Sequence, residues 1–304
     1  MTVPFTPPEP MEVTPEAPSA PEPEARTQWQ LIRRRFFKHR MAVLGGIVLI
    51  LLIILCFGAK HFAFYDENKQ NLLLGPTSPS KEHWMGTDEL GRDVMTRVLY
   101  AGQISLRIGL LVALLSTAIG TLIGAVAGYF GKVWDQLLMR MTDLFLVVPQ
   151  LAILAIALQQ FGQSVGPIIL VLAFLGWTYI ARIVRGQVLS VKEKEFVEAA
   201  RASGASNTRI IVRHILPNCI GPILVNATLA IAAAIITEST LSFLGFGIQP
   251  PDESWGHMLS TAEGNFNNNT HLLYFPGLMI LLTVLCVNFL GDGLRDAFDP
   301  QSKR

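Results

Sequence analysis

Residues 192–218, KEKEFVEAARASGASNTRIIVRHILPN, form a charged segment between two apolar runs that are each long enough to cross a bilayer. No other connection in the chain is as long, as basic and as prone to form helix. Phe196, Val197 and Ala200, then Ile210, Ile211 and Ile215, supply apolar faces at helical spacing. Lys192, Lys194, Arg201, Arg209 and Arg213 put most of the charge on one side of the membrane, which places the segment in the cytoplasm. Ala199, Ala200 and Ala202 give a helix of little side-chain bulk, able to sit deep in a groove, and Glu198 offers a charge to a basic partner. Gly204 is suited to end that helix with a left-handed residue. Ser206 or Asn207 is placed to cap a second short helix that is expected to end before Pro217. The plain alternative is a solvated basic loop that obeys the positive-inside rule and docks on nothing.

At 304 residues, with 51% hydrophobic and 15% charged residues and a mean hydropathy of +0.42, the chain is too apolar for an ordinary soluble domain. An all-α polytopic membrane protein is expected. The formal charge of +1 hides an asymmetry, because a Glu/Pro-rich start is followed by Arg33, Arg34, Arg35, Lys38 and Arg40. Cys56, Cys219 and Cys286 lie far apart in or beside apolar runs, a spacing that indicates neither a disulfide framework nor a zinc site.

Four regions follow in order. Residues 1–25 have the composition of a disordered cytoplasmic tail, whose deletion is expected to leave topology unchanged. Residues 26–59 hold an amphipathic lead-in at the membrane surface, with Trp29, Leu31, Ile32, Phe36 and Phe37 among arginines, and the first transmembrane helix from Met41 to Ala59. A cleaved signal peptide is the alternative there, but the run is long, begins late and lacks a convincing cleavage site. Residues 60–103 are an outside segment; Leu90, Val94 and Val98 suggest an interfacial helix with Thr87 or Asp88 as N-cap and Asp93 paired with Arg97.

Residues 104–304 hold five further spans. The second, Ile104–Tyr129, repeats Ser116, Gly120, Gly124 and Gly128 on one face, for close packing inside the subunit or against another subunit. A third, Leu137–Leu158, is expected to kink at Pro149. The fourth runs from Pro167 to about Leu189, and the basic segment, taken as 190–217, follows it. Gly221-Pro222 is expected to open the fifth span, which ends near Leu244; its outside sequel has no lysine or arginine, and Ser254–Glu263 there is expected to be a short helix anchored by Trp255 at the interface. The sixth span is Leu272–Leu290, which leaves both termini in the cytoplasm.

Four polar residues in the spans are candidates for a pathway or an intramembrane pair: Arg107, Asp143, Asn226 and Glu238. Arg107 and Glu238 lie at matching depths below the outer surface, so either they pair, or Arg107 reaches the lipid headgroups while Glu238 faces a water-filled path. In both readings Glu238 faces protein or water.

Glu198-Ala199-Ala200, Gly204 and Ile215-Leu216-Pro217 together resemble the EAA loop by which membrane subunits of ABC importers engage their ATPases. His214 departs from the aliphatic residue often found three before the proline. Gly86-Thr87-Asp88, Gly91-Arg92-Asp93 and the ending Gly291-Asp292-Gly293-Leu294-Arg295-Asp296 with Asp299-Pro300 are similar to the C-type subunits of dipeptide and oligopeptide ABC importers, and the resemblance covers about Gln28 to Pro300. It implies a type I importer permease fold of six transmembrane helices in a bacterial inner membrane. It also implies a second homologous permease, two ABC ATPase subunits and an extracytoplasmic peptide-binding protein, with membrane lipids around the chain and no nucleic acid. Glu198, Ala199, Ala200, Gly204, Ala205 and Ser206 would be the ATPase-coupling residues. No cofactor is expected on this chain; ATP and Mg would sit on the partner ATPases. Members of that group also import nickel complexes, glutathione or oligosaccharides.

The chain has no GxxxxGK[ST], since Gly131-Lys132 is followed by Val133, and no HExxH or GxSxG, so an enzyme in its own right is not expected. A secondary transporter or channel would more often carry several ionisable groups at mid-membrane and matched halves with interrupted helices. An assembly factor without transport is a third reading.

Overall fold

The computed structural model describes residues 27–264 and 269–299; the tail assigned to residues 1–25 lies outside them. An amphipathic helix, α1 (Gln28–Lys38), turns at His39 into the first span, α2 (Arg40–Phe57). The His39 ring nitrogen Nδ1 accepts the Ala42 N–H at 3.1 Å, so the break is also a cap. A short turn, α3 (Ala59–Phe62), ends this region. Beyond the outside segment come α4 (Val94–Phe130), α5 (Lys132–Val147), α6 (Gln150–Phe161) and α7 (Val165–Val191). The basic segment holds α8 (Glu195–Ala202) and α9 (Asn207–Ile210), and a π turn, Ile211–Ile215, joins α9 to α10 (Leu216–Phe243). An outer helix, α11 (Trp255–Glu263), and the last span, α12 (His271–Phe298), complete the described residues. The only β feature among them is the isolated bridge between Thr87 and Asp93.

Five of the described helical stretches are long and apolar enough to cross a membrane, and the α5–α6 pair makes a sixth if read as one broken span. The kink expected at Pro149 is there, as a break between two helices that meet at 87°. Val148 is extended, as a residue before proline tends to be, and Pro149 has no N–H with which to continue the ladder.

Two other boundaries differ from expectation. The second short helix of the basic segment does not end before Pro217, and Gly221-Pro222 does not open the fifth span: helix runs from Asn207 to Phe243. Just before the proline the hydrogen bonds lengthen to five-residue spacing, with Leu216 N–H donating to the Ile211 carbonyl. A π turn of this kind carries the chain past a residue that cannot donate. In the outside segment Leu90 is not helical, and the helix that includes Val94 and Val98 is the start of α4 itself.

Packing is closest between α4 and α7. Ser116, Gly120, Gly124 and Gly128 face α7, so the small-residue stripe serves packing within the subunit. A Cβ on Gly124 would lie 2.5 Å from the Ala181 carbonyl oxygen, and one on Gly120 2.8 Å from that of Trp177. Backbone touches backbone here, so nothing can rotate aside. Gly124→Val is therefore expected to force the helices apart and destabilise the protein by about 3 kcal/mol. Gly166→Ala, where a Cβ meets nothing within 4 Å, is the matched control. Equal unfolding midpoints for the two variants in detergent would remove this account of the seam.

The core falls into three clusters, from the end opposite the basic segment to the basic segment itself. Val98, Trp255 and Met258 fill the first, Ile108, Leu154 and Ile168 the second. In the third, Val184 and Val188 of α7 meet Val197, Ile210 and Ile215 of the basic segment.

Candidate functional site

The basic segment is a docked elbow. Val197, Ile210 and Ile215 are fully buried against α7 and the inner end of α4, while Glu198 and Ala199 are exposed and Ala200 is half-buried. Five-residue spacing through the π turn is what brings Ile210 and Ile215 to the same side. Gly204 ends α8 with φ +77°, its N–H donating to the Arg201 carbonyl at 3.0 Å and the Ala205 N–H to that of Ala200 at 3.1 Å. That is the Schellman arrangement, and the apolar contact that accompanies it is present, because Ala200 and Ala205 both pack on the inner core. Ser206 caps α9 through the Arg209 N–H, as expected. Polar ties add to the docking: Lys192 Nζ donates to the Gly128 carbonyl at 3.1 Å, and the Tyr129 hydroxyl to Asn207 at 2.9 Å. Exposed Phe196, Glu198, Ala199 and Arg201 are left as the outer surface of the elbow.

Above the elbow, α4, the α5–α6 bend, α7 and α10 enclose a cleft of about 300 Å³. Its wall is aliphatic with a few polar groups, among them Gln150, Thr178, Tyr179, Asn226 and Thr237. A second cleft, of about 450 Å³, lies toward the inner ends of α7, α10 and α12 and includes Gln187, Arg295 and Asp299. Tyr179, Asn226 and Leu229 belong to both, so Asn226 stands where the clefts meet. Its side-chain amide donates to the Pro222 carbonyl at 2.8 Å, which fixes its rotamer.

Of the other intramembrane candidates, Asp143 lies outside this cleft wall and takes a hydrogen bond from Arg182 at 2.5 Å, both side chains being half exposed. Arg107 and Glu238 do not form the expected pair. Arg107 is exposed on the α4 face that carries exposed Leu110 and Leu114. Glu238 is fully buried and accepts from the Ser242 and Ser254 hydroxyls at 2.6 Å each. It faces protein, as required in either reading, but does not line the cleft; Thr237 does. Ser242 in turn accepts the Ile248 N–H, and Ser254 caps α11 through the His257 N–H. The carboxylate thus pins the loop between α10 and α11.

At the end of the bundle opposite the basic segment a polar cap closes it. Asp93, not Thr87 or Asp88, is the N-cap of α4, accepting the Thr96 N–H at 2.8 Å, and it bonds His83 at 2.9 Å rather than Arg97. Asp88 is occupied by its own turn, taking the Leu90 and Arg92 N–H groups at 2.9 Å each. Arg97 is buried between Asp88, at 2.5 Å, and Glu253 of the loop before α11. Trp255 is fully buried rather than at the lipid interface; its backbone N–H meets Ser105 and its indole N–H the Val98 carbonyl. Burial pushes the His257 imidazole below its ordinary value, against the opposing pull of Glu253. Burial, and then the charge of Glu253, push the Glu67 carboxyl up.

Reading by segment missed Gln150, Tyr179 and Thr237, whose shared wall is assembled from three distant helices. One signal was available for Gln150, a polar residue directly after a helix-breaking proline in an apolar run.

Two family descriptions match the chain. "Binding-protein-dependent transport system inner membrane component" covers residues 120–304, and "N-terminal TM domain of oligopeptide transport permease C" covers residues 27–76. The chain is 41% identical over 281 residues to the glutathione transport system permease protein GsiD of Escherichia coli O157:H7, spanning 92% of this chain and 93% of that protein. It is 40% identical over 282 residues to the oligopeptide transport system permease protein OppC of Haemophilus influenzae, spanning 92% and 91%. With the dipeptide transport system permease protein DppC of Alkalihalophilus pseudofirmus the identity is 37% over 298 residues, spanning 96% and 97%. Among solved structures, an inward-facing MetNI methionine ABC transporter chain superposes with a TM-score of 0.55 at 19% identity, covering 66% of this chain and 96% of that one. That likeness concerns the fold.

Proposed function

The chain belongs to the binding-protein-dependent transport system inner membrane components, and from that premise we propose that it forms half of the membrane pathway of an ATP-driven peptide importer. It is a transport subunit, and ATP with Mg is assigned to two separate ABC ATPase chains that grip the α8–α9 elbow. A second, homologous permease supplies the other half of the path, and an extracytoplasmic binding protein delivers peptides to the outer cap. Both termini are cytoplasmic, in a bacterial inner membrane.

One observation supports this reading most: the elbow packs on α7 and leads without interruption into α10, and these two helices are walls of the polar cleft. A push on Glu198, Ala199 and Ala200 reaches Tyr179 through the packing of Val197 and Ala200 on α7, and reaches Asn226 across the tight Gly204 turn and along the continuous helix that starts at Asn207. Peptides suit the wall, since Gln150, Tyr179, Asn226 and Thr237 offer donors and acceptors for amide groups without a fixed charge to trap a terminus.

Reconstitution of the chain with its partner subunits in vesicles tests the reading. ATP-dependent accumulation of labelled di- to pentapeptides is expected, and Asn226→Leu should lower it roughly tenfold with normal subunit assembly, the loss of one well-placed polar contact. Uptake that needs no ATP would sink the importer reading. Uptake of glutathione but of no other peptide would assign the substrate instead to the chemistry named for the E. coli relative.

A further inference from the structure

The α1 helix has two different faces. One packs on the end of α12: Arg35 Nη1 donates to the Asp299 carbonyl at 2.8 Å and His39 lies 3.6 Å from Asp296, while at the edge of this face Trp29, itself 65% exposed, meets the Phe298 ring edge-on at 6.3 Å. The other is open. Arg33, Arg34, Phe37 and Lys38 are exposed, with Phe37 at 65%. At about 100° per residue these four side chains fall within roughly 140° of the helix, the aromatic ring lying between cations. No acidic residue occurs between Thr27 and Arg40. The single non-helical residue His39 separates α1 from the first span, so this face is held at the level where that span leaves the membrane.

We propose that this face of α1 binds the headgroups of anionic lipids in the inner leaflet, and that lipid binding there tunes coupling through Phe298. The charge is complementary to such a surface, each cation near it adding to the attraction, and an aromatic ring between them suits the headgroup boundary. The link inward is direct. A Cβ on Gly221 of α10 would lie 2.8 Å from the Phe298 ring, so that ring rests on the α10 backbone just beyond the elbow and its π turn. Trp29, Phe298 and Gly221 thus join the lipid-facing helix to the helix that carries the ATPase signal; this second half of the proposal rests on the importer reading.

Two measurements test it separately. Purified full-length chain in neutral detergent is offered phosphatidylglycerol or phosphatidylcholine, and retained lipid is counted by native mass spectrometry. Preference for phosphatidylglycerol is expected, falling at least tenfold in the triple variant Arg33→Gln, Arg34→Gln, Lys38→Gln. Equal retention of both lipids, or a triple variant that keeps the preference, overturns the lipid surface. A triple variant that keeps it but no longer co-purifies with the ATPase subunits would assign the face to an acidic protein instead. In the second measurement, the complete complex is placed in phosphatidylcholine vesicles with and without phosphatidylglycerol. Stimulation of ATP hydrolysis by the anionic lipid is expected in the wild type, and its loss in Phe298→Ala with lipid retention unchanged. Stimulation that survives in Phe298→Ala overturns the link. A complex inactive in every lipid speaks against the importer reading and leaves the first measurement to judge the surface.

Discussion

Gly204→Pro is expected to cut substrate-stimulated ATP hydrolysis and uptake by at least tenfold while leaving the chain inserted in the membrane. Gly204 stands at φ +77° and its N–H holds the Arg201 carbonyl, whereas proline is confined near −65° and has no N–H. Space is not the issue, since a Cβ there meets nothing within 4 Å; the demand is on the backbone alone. Losing the turn costs about 3 kcal/mol or more, enough to shift a docked elbow to an undocked one by over a hundredfold. Gly204→Ala, which keeps the N–H and bears only the left-handed strain of about 1 to 2 kcal/mol, should fall in between. ATPase assays of the three proteins in nanodiscs give the order directly, and a proline variant as well coupled as wild type would remove the elbow from the coupling route.

Arg97→Met should produce the largest loss of stability. Arg97, Asp88 and Glu253 are all buried, and the guanidinium is shared between the two carboxylates. Its removal leaves the buried Glu253 carboxylate without its cation, beside an Asp88 that keeps only Arg92 at 2.7 Å, and breaking a buried pair in this way typically costs about 3 to 5 kcal/mol. A fall in thermal midpoint on the order of 10 °C follows for a chain of this size. Adding Asp88→Asn and Glu253→Gln to Arg97→Met should recover part of the fall, because it was the unpaired charge that was costly. If the triple variant melts no higher than the single one, the damage lies in lost packing and not in charge. An unchanged midpoint in the single variant would show that the three groups do not act together.

These two sites differ in how far they could be read from sequence. The Gly204 turn and a cap at Ser206 or Asn207 follow from rules that act over four or five residues; the turn is found as read, and the cap falls to Ser206. Arg97 is different. Asp93 stands four positions before it and invites a helical pair, but it is spent on the α4 cap, and the partner that matters, Glu253, is 156 residues away. Three residues in the outside segment were able to cap a helix, and nothing local says that Asp88 would be consumed by its own turn. For Glu238, Ser242 lies one turn along the same helix and was visible in principle; Ser254, on the far side of a loop, was not. The spanning helices were legible as apolar runs, yet the 87° break at Pro149 was not, because proline alone does not say whether a helix bends or parts. Asn226 was legible as an oddity in an apolar run, while its place at the meeting of two clefts depends on helices that converge only in the fold.

The length of α4 has a mechanical consequence. Its 37 residues form one unbroken rod of about 55 Å, against a hydrocarbon core of about 30 Å. The backbone-to-backbone seam with α7 along it, from Ser116 to Gly128, is centred near Leu122, off the middle of the rod. Pivoting at that seam, the rod has an outer arm of about 42 Å and an inner arm of about 12 Å. Because Gly128, whose carbonyl Lys192 holds, is itself part of that seam, the inner end of the rod moves with α7, and a tilt of the pair by about 5° would swing the Asp93 end by roughly 3 to 4 Å. A small tilt of the α4–α7 pair at the elbow end would thus become a wider movement at the opposite end of the rod.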